Sequence, residues 1–272
     1  MGRLTAIMLC IIFFMPAANA AGDTTLQLQY EKTIEGNFSN FYTDNLGNIF
    51  LVTQKNQVKK LNQSFDSIAV FNDVRRYGDI YLLDVNNPLK IAVYYKDFTT
   101  LLLLDRFLNI RNTIDLRTAG IMQAKAITQS YDNNYWVFDE LDNAIKKIDD
   151  NGNVLLQSPD FRILFSEPYN PARIIDADGL LYLYDEKKGW LVFDYYGTYK
   201  QHIDVTGWRD VQAENGNLSG RDSLYVYATN RKTFSEVKAG INITLASAAK
   251  IERRLNRIFV LTADGLSVYR IK

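Results

Sequence analysis

The stretch Tyr135-Trp136-Val137-Phe138-Asp139-Glu140 opens with four consecutive apolar residues, aromatic or β-branched, and then turns polar. A strand that is apolar at every position, not at every second one, has both faces buried. Hexapeptides of the same build recur as IFLVTQ at 49–54, IAVYYK at 91–96, LYLYDE at 181–186, LYVYAT at 224–229 and IFVLTA at 258–263. Their starting positions are separated by 42, 44, 46, 43 and 34 residues. Each is therefore expected to be a middle strand of a small sheet packed between two others.

The flanks repeat too. Turn-forming clusters precede several copies, at Asp44-Asn45-Leu46-Gly47-Asn48, Asp132-Asn133-Asn134 and Asp176-Ala177-Asp178-Gly179. Asn, Asp and Gly tolerate the left-handed backbone that tight hairpins demand. A more alternating strand follows, as in Val58-Lys59-Lys60-Leu61 or Ala144-Ile145-Lys146-Lys147-Ile148, then a second turn and a last strand. Four short antiparallel strands per ~40–45 residues make a β-propeller blade. Six copies predict an all-β, six-bladed propeller. The sixth unit offers only three strands, at 250–255, 258–263 and 266–271, before the chain stops. Its outer strand is expected from the other end of the chain, TTLQLQYEKTI at 24–34, which would latch the ring and cover a sheet edge.

The pattern Asp44-x-x-Gly47-Asn48-Ile49-Phe50-x-Val52, followed by Val58-Lys59-Lys60-Leu61, resembles the NHL-type repeat of six-bladed propellers. Tyr135-Trp136-Val137-Phe138-Asp139 is similar to the YWTD variant of the same architecture. The resemblance spans nearly all of residues 21–272. Its motifs specify hairpins and blade packing and carry no catalytic residue. Propellers of this shape include protein-binding scaffolds, sugar-acid lactonases and outer-membrane assembly factors, so the fold alone does not choose among them.

The 272 residues carry 31 Lys+Arg against 31 Asp+Glu, a formal charge of zero that calls for no nucleic-acid partner. A hydrophobic share of 47% and a charged share of 23% are ordinary for a globular chain. Residues 1–20 read as a signal peptide: Arg3, an uncharged apolar run to Met15, and small residues ending Ala18-Asn19-Ala20, with cleavage expected after Ala20. That run is about half of what crosses a bilayer, so no transmembrane anchor is expected after cleavage. Cys10, the single cysteine, leaves with the leader. A disulfide-free exported chain fits a bacterial periplasm or secretion, here as a monomer.

His202 is the sole histidine and falls in an outer strand, away from any nucleophile in a pocket. The segments around Asp149 and Asp176 lack the full D-x-[DN]-x-[DN]-G calcium loop. The residues leading into the innermost strands should gather at one mouth of the central channel; these are Asn37–Asn40, Asp79, Lys125, Arg173, Asp210 and Lys250. From the connections between blades, and the turns after the hexapeptides, the same face should receive Arg75, Arg76, Tyr77, Arg117, Phe161, Arg162, Tyr169, Trp208 and Arg209, with Lys187, Lys188, Arg231 and Lys232. Arg beside Tyr and Trp is the composition enriched at protein interfaces. The longest connection, residues 158–171, places Phe161, Ile163, Leu164 and Phe165 outside any blade strand; it is either tucked over the channel or offered to a partner. The expected function is a non-catalytic binding or scaffold module for a protein or an acidic glycan in the bacterial envelope, without a cofactor. The alternative is a lactonase-like hydrolase holding Ca²⁺ with Asp79, Asp210 and Asn40.

Overall fold

Alternation sorts the hexapeptide side chains. Tyr135 and Val137 pack toward the preceding sheet, against Tyr94, Leu101 and Leu103. Trp136 and Phe138 pack toward the following one, against Leu181, Leu183 and Phe193. Six such clusters, one between each pair of neighbouring sheets, form the core.

The computed structural model describes residues 24–272, so the leader expected at 1–20 lies outside the described residues. The chain is a six-bladed β-propeller. From axis to rim, blade 1 is Phe38–Thr43, Ile49–Thr53, Val58–Leu61 and Ser67–Phe71. Blade 2 is Ile80–Asp84, Lys90–Tyr95, Thr100–Asp105 and Ile110–Asp115; blade 3 is Ala124–Gln129, Tyr135–Asp139, Ala144–Ile148 and Val154–Gln157. Blade 4 is Arg173–Ala177, Leu180–Asp185, Gly189–Phe193 and Tyr199–Ile203; blade 5 is Arg209–Glu214, Asn217–Arg221, Val226–Asn230 and Glu236–Ile241. Blade 6 is Lys250–Arg254, Arg257–Thr262, Gly265–Ile271 and, as its outer strand, Leu28–Glu35. The N-terminal strand thus completes the last blade, pairing antiparallel from Leu28↔Ile271 to Glu35↔Gly265. Glu31 fastens it to Arg257 through a two-point ion pair.

Two features depart from the sequence expectation. Thr24–Leu26 continues past blade 6 and pairs parallel with Glu236–Ile241, making blade 5 five-stranded. In blade 5 the hexapeptide at 224–229 falls in the third strand, one place further out than its counterparts. The second strand, Asn217-Leu218-Ser219-Gly220-Arg221, has no apolar run because Arg221 is buried there, at 2% exposure. Its guanidinium pairs with Asp210 (Nε–Oδ2 2.6 Å) and donates to the carbonyls of Leu245 and Ala248. One consequence is that Arg231 and Lys232 sit in a third-to-fourth-strand turn, on the face opposite to the one expected.

The Asp149 turn, which lacks the full calcium loop, is closed by its own backbone, whereas the Asp176 carboxyl turns to the Tyr195 hydroxyl. Asp149 Oδ1 accepts from the N–H groups of Asn151 and Asn153, both at 2.8 Å, and Gly152 takes φ +82°. Asp44, Asp105 and Asp194 close other turns in the same way. Among the described residues no helix is long and apolar enough to cross a membrane.

Candidate binding site at the upper channel mouth

Inner strands run from one face of the ring to the other. The face where they start, here the upper one, also carries the blade-to-blade connections and the second-to-third-strand turns. In four blades the register slips near the start of the inner strand, at Phe38/Asn40, Ile80/Leu82, Ala124/Ala126 and Arg209/Gln212. Bulges of this kind re-aim side chains at a rim, and Lys125 and Asp210 are among the residues they displace.

A cavity of about 370 Å³ opens at this mouth, mainly between blades 4, 5, 6 and 1. Its walls include Asn40, Tyr42, Arg173, Tyr184, Glu186, Trp208, Arg209, Asp210, Gln212, Lys250, Glu252 and Arg254. The sequence-derived residues Arg173, Trp208, Arg209, Asp210, Lys250 and Asn40 therefore do converge. Tyr42, Tyr184, Glu186, Gln212, Glu252 and Arg254 are additions; Glu186 and Arg254 lie at or beyond strand ends, and the others are strand residues whose inward face spacing alone does not settle.

Trp208 forms the apolar wall. Its backbone N–H donates to the Tyr184 hydroxyl at 2.7 Å, and its ring stacks on Tyr227 at 5.6 Å and 20°. It lies so close over Gly220 that a Cβ there would meet Trp208 Cβ at 2.8 Å. Glycine at 220 is what lets the indole lie down on the sheet.

Two of the three acidic groups of the cavity, Asp210 and Glu252, are already engaged; the third, Glu186, is exposed at the rim. Asp210 is paired to Arg221 and accepts the Ile251 N–H at 2.8 Å. Glu252 accepts from the Thr43 N–H (3.1 Å) and hydroxyl, and lies 3.6 Å from Lys250 and 3.7 Å from Arg254. Lys250 donates to Asn40 Oδ1 at 3.1 Å and to the Phe41 carbonyl, and sits 3.9 Å from the Tyr42 ring centroid. Burial lowers its pKa to about 8, with Glu252 opposing the shift and Arg173 adding to it. Arg209 reaches only the Ser223 hydroxyl at 3.0 Å. Among the described residues neither Arg173 nor Arg209 has a carboxylate partner, so the rim presents unneutralised guanidinium groups.

Other expected site residues go elsewhere. Arg75 and Arg76 lie in the one-turn helix Val74–Tyr77; Arg76 is exposed, 5.3 Å over the Tyr77 ring. Tyr77 is buried against Tyr95 between blades 1 and 2. Phe161 is fully buried, stacked on Phe193 at 5.4 Å and 8°, and Tyr169 closes over it. The long connection is tucked down by Phe161, Phe165 and Tyr169, leaving Ile163 outward at 80% exposure. Arg117 and Arg162 are exposed but held by Asp115 and Asp160, each two residues earlier in the chain. Asp79 accepts from Asn56 Nδ2 and is not part of the cavity wall. Asp79, Asp210 and Asn40 thus belong to separate networks, and among the described residues no group of three or more His, Cys, Asp or Glu is arranged to hold a metal.

No family model matches the chain, and no curated protein matches it in sequence. Solved structures do resemble it in fold. A catalytically inactive virginiamycin B lyase from Staphylococcus aureus with quinupristin superposes with a TM-score of 0.61 at 12% identity, over 91% of this chain and 99% of that one. The Pan2 WD40 domain of Neurospora crassa gives 0.59 at 15% identity, over 88% and 78%. BamB from Moraxella catarrhalis gives 0.52 at 10% identity, over 90% and 100%. A lyase, a WD40 domain and BamB share this architecture, which establishes the propeller fold and leaves function to the site.

Proposed function

We propose that the chain is an exported, non-catalytic binding propeller whose upper channel mouth receives an acidic group borne by a protein or a glycan of the envelope. The observation that carries this reading is the pair of unneutralised guanidinium groups, Arg173 and Arg209, flanking Trp208 and Lys250 around one cavity. Guanidinium binds carboxylate, sulfate or phosphate in a fork, and the largely buried indole of Trp208 backs the wall beside it. The carboxylates of Asp210 and Glu252 act as internal counter-ions that fix the cations, not as free acids or bases. The leader-like segment at 1–20 supports export. The reading needs no cofactor and no second subunit.

The test is retention of purified protein on an immobilised acidic polysaccharide and an acidic peptide, against neutral controls. Arg173→Ala with Arg209→Ala should weaken capture about tenfold or more, with a shallower salt dependence, because charge-assisted contacts contribute ~1.5–3 kcal/mol each. Equal retention of parent and double variant would dismiss this mouth as the site.

A further inference from the structure

The opposite, lower mouth of the channel has a different chemistry. The ends of the inner strands and the turns that follow them, from blades 1 to 4, enclose a second cavity of about 320 Å³. Its wall is nearly all amide and hydroxyl: Asn45, Asn86, Gln129, Ser130 and Asn133, with one carboxyl, Asp176, and one aromatic ring, Tyr131. Neither Lys nor Arg lines it.

Two buried polar atoms of this wall, the amide oxygen and nitrogen of Gln129, a residue only 5% exposed, have no partner in the protein. Beside them the Ser130 hydroxyl, the Tyr131 backbone and the Trp136 indole gather on the buried carboxyl of Asp176. Buried polar groups left unsatisfied each cost of order 1–3 kcal/mol, so their clustering around one opening calls for a hydrogen-bonding occupant. Asp176 Oδ1 accepts from the Tyr195 hydroxyl at 3.0 Å, which fixes the carboxyl at the edge of the cavity. Tyr195 also props Tyr131, ring on ring at 4.3 Å and 30°, leaving Tyr131 66% exposed at the rim.

We propose that this lower mouth is a second ligand site, for the ring of a neutral saccharide. A sugar hydroxyl is donor and acceptor at once, the match for a wall offering the Gln129 amide, the Ser130 hydroxyl and a carboxylate oxygen within one cavity. The C–H face of a pyranose ring is flat and apolar, which suits the exposed Tyr131. The two lysines beside this wall are engaged, Lys147 over the Tyr131 ring on Asp132 and Lys90 on Asp150, so an anionic ligand would meet Asp176 without a free cation. A bare cation would find a single carboxyl, whose pKa burial holds above the ordinary range, a poor ligand set for Ca²⁺. The volume suits one monosaccharide unit.

Saturation-transfer NMR with methyl glucoside, galactoside, mannoside and N-acetylglucosaminide tests this on the whole chain. At least one glycoside should receive saturation at its ring protons. Tyr131→Ala should weaken that binding about tenfold or more, as should Gln129→Leu, while Arg173→Ala with Arg209→Ala leaves it unchanged. Tyr131 is a rim residue, so its variant melts with the parent and gives the answer even if Gln129→Leu disturbs folding. No transfer to any of the four glycosides, or transfer that survives Tyr131→Ala, overturns the proposal. So does a calcium-induced rise in melting temperature that Asp176→Asn abolishes while no glycoside binds.

Discussion

Lys250 sits under two aromatic rings and beside one carboxylate, a setting that makes its charge expensive. With a folded pKa of about 8 it loses its proton well before an unfolded lysine near 10.4 does. Between about pH 8 and 10 the unfolded chain binds the extra proton, so this residue makes stability rise with pH across that window. Above it the buried tyrosines, with Tyr94 and Tyr184 pushed to about 12, reverse the slope. Ligand binding should run the other way: the cavity loses one positive charge as pH passes through 8, so capture of an acidic ligand weakens from pH 7 to 9. Trace acetylation across pH, read by peptide mass, should show Lys250 half-reactive near pH 8. A Lys250 midpoint near that of a free lysine, about 10.4, would refute the assignment.

Blade 5 shows what happens when one element trades packing for charge. Elsewhere the second strand is an uninterrupted apolar run, which is why five of the six blades were legible as repeats in sequence. In blade 5 the run moved outward by one strand, because Arg221 occupies the slot facing blade 6 and Gly220 the slot beneath Trp208. The apolar pattern therefore points to residues 224–229, in the third strand. The mouth was half legible for a related reason. Positions leading into inner strands were readable from spacing, whereas Tyr77, Phe161 and Tyr169 look like surface aromatics in a connection and are anchors between blades. Glu252 shares a strand face with Lys250 and Arg254, two residues away on either side, but its bonds to Thr43 arise only when blade 6 closes onto blade 1. Replacing Arg221 by Met should cost about 3–5 kcal/mol in denaturant unfolding, because the Asp210 carboxylate loses its partner. Arg221→Met combined with Asp210→Asn should recover part of that loss. A single variant as stable as the parent would show the pair to be energetically idle.

At the scale of the whole ring, the N-terminal segment does two jobs with one stretch of chain. Leu28–Glu35 supplies the outer strand of blade 6, and Thr24–Leu26 crosses to the rim of blade 5. Removing residues 24–26 should leave the ring closed and the melting temperature within a few degrees of the parent. Removing 24–35 strips Gly265–Ile271 of its outer partner and exposes a sheet edge, so the protein should melt far lower and aggregate. Calorimetry and light scattering on the two truncations separate the roles. Equal melting of both would mean that the ring does not depend on its latch.

The bridging of blades 5 and 6 by one strand has a bearing on how the upper mouth works. Trp208, Arg209 and Asp210 approach the cavity from one side of that junction, and Lys250, Glu252 and Arg254 from the other. Behind them the two blades share a core whose outer members, such as Leu26, Val226 and Ile241, are only half covered. The strap clasps this joint at the circumference, and an acidic guest would clasp it at the hub. Occupancy and circular integrity are then one equilibrium: a filled hub resists parting of the joint, and a loosened strap weakens the grip on the guest.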